Sequence, residues 1–407
     1  MNLEILLLSL GYTKEEINLM RKDYSLIRTS EEKLINNIKR NYDWFLKIGY
    51  TKEQIVKMTI ELPTLYAYSP ESMNAKINSL MLLGHTKEEI MKMTLEQPAL
   101  YGYMIENINI KIEKMTMHGY TKDEIRKMAS GYPNIYCLTE ENIIQKINDL
   151  INLGYTKEQV LKMTKRLPTL YGITLETINK KISDLISLGY TREEVIKMTS
   201  KQPSLYGITM NTINEKTQEL ISIGYTKEQV LSMGKKQPHI YCLSIDNLNQ
   251  KVKDLLKLGF SKEEVLKMTS DFPPIFGYTI ENMKNKIEDI ILLGFSYDEV
   301  LEMIKKLPPI FGYSIETIKE KIEFYDSINM HDLVVLDTKQ LMQGIALSYA
   351  RYHYFKDKGI EINMTNYKKL FEGKKRFDIN HKMKTEELLE KYNYEEHLKE
   401  NKNGRTI

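Results

Sequence analysis

GYTKEQVLKMTKRLPTLYGITLETINKKISDLISL, residues 154–188, reads as a short helix, a break and a second helix. Thr156 and Gln159 have the spacing of a capping box, so a helix starts there. Val160, Leu161 and Met163 are its expected buried positions. About ten residues on, Leu167 precedes Pro168 and is steered away from helix, so the chain turns. Tyr171 and Gly172 suit a single 3-10 turn that plugs a ring between helices. Thr174 then caps a second helix, with Glu176 in its first turn, where the dipole favours an anion. Ile178, Ile182, Leu185 and Ile186 form one apolar stripe, and Gly189 is a left-handed stop.

The same reading repeats every 35 residues. The glycine recurs at Gly49, Gly84, Gly119, Gly154, Gly189, Gly224, Gly259 and Gly294, and the proline at Pro63, Pro98, Pro133, Pro168, Pro203, Pro238, Pro273 and Pro308. The cap pair recurs as Thr51 with Gln54, Thr86 with Glu89, Thr191 with Glu194 and Ser261 with Glu264. A fixed period of this length marks a solenoid whose units bury their apolar faces only against neighbours. The expected fold is therefore an all-α superhelical solenoid of ~35-residue helix–turn–helix repeats, with a short 3-10 turn after each repeat proline.

Residues 1–48 read as a divergent N-terminal capping repeat, with Gly11, Thr13, Glu16 and Met20 in pattern and Ser25 in the proline slot. Residues 49–328 hold eight regular repeats. Residues 329–362 are a degenerate C-terminal repeat, with Asn329 in the glycine slot, Gln343 in the proline slot and a second helix ending at Gly359. Residues 363–407 form a charged tail with one helix, Thr385 to Tyr394, and a last ten residues expected to fray.

The formal charge is only +3. Residues 1–348 carry 44 Lys and Arg against 45 Asp and Glu, and residues 349–407 carry 14 against 10. Neutrality removes the simplest charge argument for nucleic-acid binding without excluding a sorted basic face. Cys137 and Cys242 share the slot of Gly172, three repeats apart, and read as reduced thiols. The N-terminal run MNLEILLLSLGYTKEE lacks a basic flank and a cleavage site, so a cytoplasmic, intracellular location is expected. No segment is apolar enough to span a membrane.

No catalytic constellation emerges: the seven histidines are scattered, His85 replaces a turn tyrosine, and no phosphate-binding glycine loop follows a strand. No enzyme, metal or cofactor is expected. The recurrent methionines, Met20 through Met303, are a core slot, and the ring series Tyr66, Tyr101, Tyr136, Tyr171, Tyr206, Tyr241, Phe276 and Phe311 reads as packing rather than base stacking. Lys76, Lys111, Lys146, Lys181, Lys216, Lys251, Lys286 and Lys321 stand eight residues before each closing glycine or its Asn329 counterpart. Two readings fit this ladder: capping of carbonyls in a neighbouring turn, or projection into a groove to meet phosphates. Around the prolines the repeat varies. Lys165, Arg166, Lys201, Lys235, Lys236, Lys305 and Lys306 make that neighbourhood basic, and Thr64, Ala99, Asn134, Thr169, Ser204 and His239 are candidate specificity positions.

LGYTKEEVLKM-type helices, a proline followed by an aromatic, and a capped second helix carrying a lysine resemble the repeat of the mitochondrial transcription termination factor (mTERF) family. SYARYHYFKDKGIEI at 348–362 is similar to the stretch that closes that family's array, with Arg351 and Tyr352 on matching positions, and FEGKKRFDINHKMKTEELLEKY is similar to its tail. The resemblance implies a superhelix whose concave face tracks double-stranded DNA or RNA, and an organelle as a possible location. The expected function is then a non-catalytic transcription factor acting as a monomer. The ladder, the basic residues near the prolines, Arg351 and the tail cations Lys368, Lys369, Lys374, Lys375 and Arg376 would hold phosphates. The alternative is a protein-interaction scaffold that grips a partner segment.

Overall fold

A computed structural model describes residues 2–21 and 30–397. Ser25 and the last ten residues lie outside the described residues. Within them the chain is all-α, and the quoted stretch forms helix Lys157–Arg166, 3-10 turn Pro168–Gly172 and helix Leu175–Leu188. Thr156 accepts from the Gln159 amide while Gln159 accepts from the Thr156 amide, so both orphan donors are satisfied. The same box closes at Thr13, Thr51, Thr86, Thr121, Thr191, Thr226, Ser261 and Ser296. Each first helix of the eight regular repeats stops where its C-cap, such as Leu167 at φ −136°, leaves helical geometry ahead of the proline. The second helix ends on Gly189 at φ 128°, and Asn329 takes the equivalent place at φ 56°.

Val160 and Met163 are fully buried, as are Ile178, Ile182 and Leu185 of the second helix. Each such side chain contributes about 1.5–3 kcal/mol relative to exposure. Leu161 is only half-buried and packs toward the preceding repeat, where a Cβ on Gly119 would meet its Cδ1 at 3.1 Å. Ile186 is exposed, one position off the stripe. Buried threonines complete the core. Tyr120, just after its glycine, hydrogen-bonds Thr164 Oγ1 at 2.6 Å and Tyr171 Oη at 2.8 Å in the next repeat. Tyr12 with Thr59 and Tyr66, and Tyr50 with Thr94 and Tyr101, repeat this tie. The ring series from Tyr66 to Phe311 is buried throughout, in line with packing.

The chain divides into two compact units, Met1–Met210 and Asn211–Ile407, so the block of eight regular repeats is shared between them. In the second unit the array shortens earlier than expected. The ninth first helix is only Leu333–Leu336, and its 3-10 turn is Thr338–Met342. Thr338, not Gln343, therefore takes the proline slot, because five residues of first helix are missing. Helix Ile345–Asp357 follows, and Gly359 closes it at φ 69°. The tail is more than one helix. Turn Tyr367–Phe371, helix Lys374–His381 and helix Thr385–Lys391 pack on Ile345–Asp357, and the first two form a truncated tenth repeat without a first helix.

Candidate nucleic-acid interface

Every ladder lysine donates to a main-chain carbonyl in the turn of the following repeat. Within Met1–Met210 the pairs are Lys76 with Tyr103, Lys111 with Tyr136, Lys146 with Ile173 and Lys181 with Ile208. Within Asn211–Ile407 they are Lys216 with Tyr241, Lys251 with Tyr278, Lys286 with Tyr313 at 2.7 Å, and Lys321 with Leu341. Those carbonyls end a 3-10 turn and have no helical partner, so an ammonium at the end of a flexible stem satisfies them. Lys146, Lys181, Lys216, Lys251 and Lys321 are buried and the other three half-buried. Burial also holds the ammonium groups of Lys76, Lys111, Lys146, Lys181, Lys216, Lys251 and Lys321 below the ordinary lysine value. Of the two readings of the ladder, the carbonyl-capping one describes this geometry.

Arg351 is corrected outright. It is 0% exposed, with Nη1 donating to Leu370 O at 2.8 Å and Glu372 O at 2.7 Å, and its guanidinium lies over Phe377 at 4.4 Å. No phosphate can reach it. It stands eight residues before Gly359, in the ladder slot, and caps the truncated tenth repeat as the lysines cap theirs. At the other end Asn41 fills the same slot, its Nδ2 bonding Leu65 O at 3.1 Å and Tyr68 O at 2.8 Å.

The basic residues near the prolines divide into two kinds. Lys165 is half-buried and pairs with Glu124 at 2.7 Å, and Lys305 pairs with Glu264 at 3.0 Å and also with Glu302. The hydrogen bond from Lys165 lowers the Glu124 carboxyl, and the Glu302 and Glu264 bonds raise Lys305. These cations tie one first helix to the next. Arg166, Lys236 and Lys306 are exposed and reach carbonyls at the C-terminal end of the next first helix. Arg166 Nη1 meets Lys201 O at 2.8 Å, Lys236 Nζ meets Ser270 O at 2.9 Å, and Lys306 Nζ meets Val335 O at 2.8 Å. There the helix dipole favours a cation, and outward-facing donors are left over. Lys201 and Lys235 are exposed beside them. Arg166 and Lys201 thus share one edge within Met1–Met210, where Glu61, Glu96 and Gly131 precede them. Thr169 and His239 are exposed in the turns, whereas Thr64, Ala99, Asn134 and Ser204 are half-buried there.

The sequence reading passed over two exposed basic columns on the first helices: Lys52, Lys87, Lys122, Lys157, Arg192, Lys227 and Lys262 beside the caps, and Lys57, Lys92, Lys127, Lys162, Lys197 and Lys267 one turn on. The TKE motif signals the first, and the lysine before most core methionines signals the second. Lys127 and Lys162 pair with Asp123 and Glu158 at i,i+4, as solvated helix faces do. Among the described residues no group of three or more His, Cys, Asp or Glu could hold a metal, and no helix is long and apolar enough to cross a membrane.

The mTERF family profile matches residues 1–82, 69–187, 171–293 and 287–334. The chain belongs to the mTERF family. The overlapping matches are what a repeat produces, and they make this chain a member of a nucleic-acid-binding helical-repeat family. They end before residue 335, so the last long helix and the truncated tenth repeat lie beyond them. A search of curated proteins finds no match. Within the mTERF repeat, the ladder cations are buried or half-buried, whereas Arg166, Lys201, Lys236 and Lys306 at the first-helix ends are exposed, as are the two columns along the first helices.

Proposed function

We propose that this mTERF protein binds double-stranded DNA or RNA and regulates transcription, including its termination, by occupying its site without catalysing a reaction. Family membership over residues 1–334 is the observation that carries the reading. Arg166 and Lys201 in one compact unit, and Lys236 and Lys306 in the other, are exposed at the first-helix ends and hold phosphates there. Thr169 and His239, exposed in the turns, supply sequence preference.

The test is fluorescence anisotropy of purified protein with random-pool duplex DNA, single-stranded DNA and RNA at low salt. Tight binding to duplex DNA or RNA is the expected result. Absence of binding to all three would overturn it.

A second reading, a protein-interaction scaffold, is favoured by apolar side chains exposed near the C-terminal ends of second helices. Leu82 is 89% exposed, Met117 76% and Leu292 84%. Changing Leu82 and Met117 to serine leaves nucleic-acid affinity intact under the first reading.

A further inference from the structure

The truncated tenth repeat reverses the charge pattern of the repeats before it. Glu71, Glu106, Glu140, Glu176, Asp246, Glu281 and Glu316 occupy the first turns of second helices, where the dipole stabilises an anion. The corresponding helix here, Lys374–His381, opens with Lys374, Lys375 and Arg376 and has no acid in its first turn. Three cations at the positive end of a helix oppose its own dipole. Residues 356–384 carry nine Lys and Arg against four Asp and Glu.

Two further observations point the same way. Arg351 lies beneath this helix, bonded to the carbonyls just before it and stacked on Phe377. It is fully buried, Nε and Nη2 have no partner, and among the described residues no carboxylate pairs with it. Glu372 and Asp378 act on its charge from nearby without an ion pair, so it takes up part of the local acidity that would otherwise offset the lysines. Lys382, at the C-terminal end of the helix, has φ 49°. Glycine or asparagine suits that left-handed position, and a lysine is held there at a cost.

Lys374 is engaged by Glu386 at 2.5 Å and Arg376 by Glu372 at 3.1 Å. Lys368, Lys375, Lys382 and Lys384 are exposed, and no carboxylate among the described residues pairs with them. Lys375 and Lys382 stand two helical turns apart, about 10 Å along the axis, with Ile379, 75% exposed, between them. The stripe has a cation at each end and an apolar contact in the middle.

We infer that this C-terminal face, Lys368 to Lys384, is a second phosphodiester-binding surface that grips nucleic acid independently of sequence and separately from the basic edge of the regular repeats. The inference rests on the nucleic-acid reading above. Phosphates neutralise the exposed charges of Lys368, Lys375, Lys382 and Lys384, and Ile379 packs on a sugar. Because the contacts are ionic and read no base, they supply affinity and salt dependence.

The test compares full-length wild type with the triple variant Lys375→Ala, Lys382→Gly, Lys384→Ala, by salt titration of duplex DNA and RNA binding. The expected result is a loss of about 2 to 3 in the slope of log Kobs against log salt, with roughly tenfold or greater weakening at near-physiological salt. Lys382→Gly alone should hold or raise the melting temperature while weakening binding, which separates a lost contact from a lost fold. An unchanged slope in a variant of a protein that binds would overturn the inference and leave the nucleic-acid reading standing. No binding by wild type would overturn both. Wild type that ignores DNA and RNA but binds vesicles of anionic phospholipid through these lysines would assign the face to a membrane surface, against the inference.

Discussion

Tyr120 carries one hydroxyl that serves two others, Thr164 and Tyr171, inside the contact between successive repeats. A buried hydroxyl without a partner costs more than a satisfied one returns, so such ties reward correct stacking. Tyr120→Phe is expected to lower stability by about 1–2 kcal/mol, read as a lower urea midpoint; an unchanged midpoint would contradict the role. The chain contains its own comparison: Phe276 stands in the slot of Tyr171, and there Tyr225 bonds Thr269 at 2.6 Å. His85 is the one histidine in the slot of Tyr120, where Phe260 and Phe295 also replace tyrosine. Its Nδ1 lies 3.2 Å from Ser130 Oγ and its Nε2 3.0 Å from Tyr136 Oη. Burial pushes it down to about 4, and Arg126 adds to this against the pull of Glu89. Between the unfolded value of 6.5 and about 4 the unfolded chain holds a proton that the folded chain rejects, so stability falls as pH falls through that window. The full loss below it is about 3 kcal/mol. His85→Tyr, which restores the residue of other repeats, should remove that part of the pH dependence. Equal slopes in urea midpoints between pH 7 and 4.5 for wild type and variant would refute this.

At the scale of elements, glycine, proline and cap residue placed nearly every helix, because each acts through local backbone chemistry that a single repeat contains. The destination of the ladder was not local. Lys181 finds its carbonyl in the turn at Ile208, in the next repeat, and only the stacking of repeats brings the two together. Arg351 was assigned to phosphates through the resemblance of its stretch to the family's closing segment, and the slot it shares with the lysines identifies its capping role only once their carbonyls are known. The shortened helix Leu333–Leu336 escaped notice because a missing stretch shifts the count without leaving a marker residue. Arg351→Ala strands the Leu370 and Glu372 carbonyls and uncovers Phe377, a loss of about 3 kcal/mol. Amide exchange should then quicken from Tyr367 to Lys391 and not in Met1–Met210; uniform loss of protection, or none, would contradict the pinning role.

At the scale of the whole molecule, near-neutral charge hides an uneven distribution. Cations on the ladder, and those paired with the preceding helix, are committed to holding repeats together. Those at the first-helix ends, along the first-helix columns and in the truncated tenth repeat are among those left toward solvent. This division was half legible: the basic neighbourhood near the prolines was visible, but residue type alone could not separate structural lysines from available ones. The most direct test is the salt dependence of nucleic-acid binding by three proteins: wild type, Lys181→Met, and Arg166→Ala with Lys201→Ala. The account predicts a steep slope for wild type, the same slope for a less stable Lys181→Met, and a slope reduced by about 2 for the double variant. No binding at low salt, or a slope that falls with Lys181 and not with Arg166 and Lys201, would contradict it.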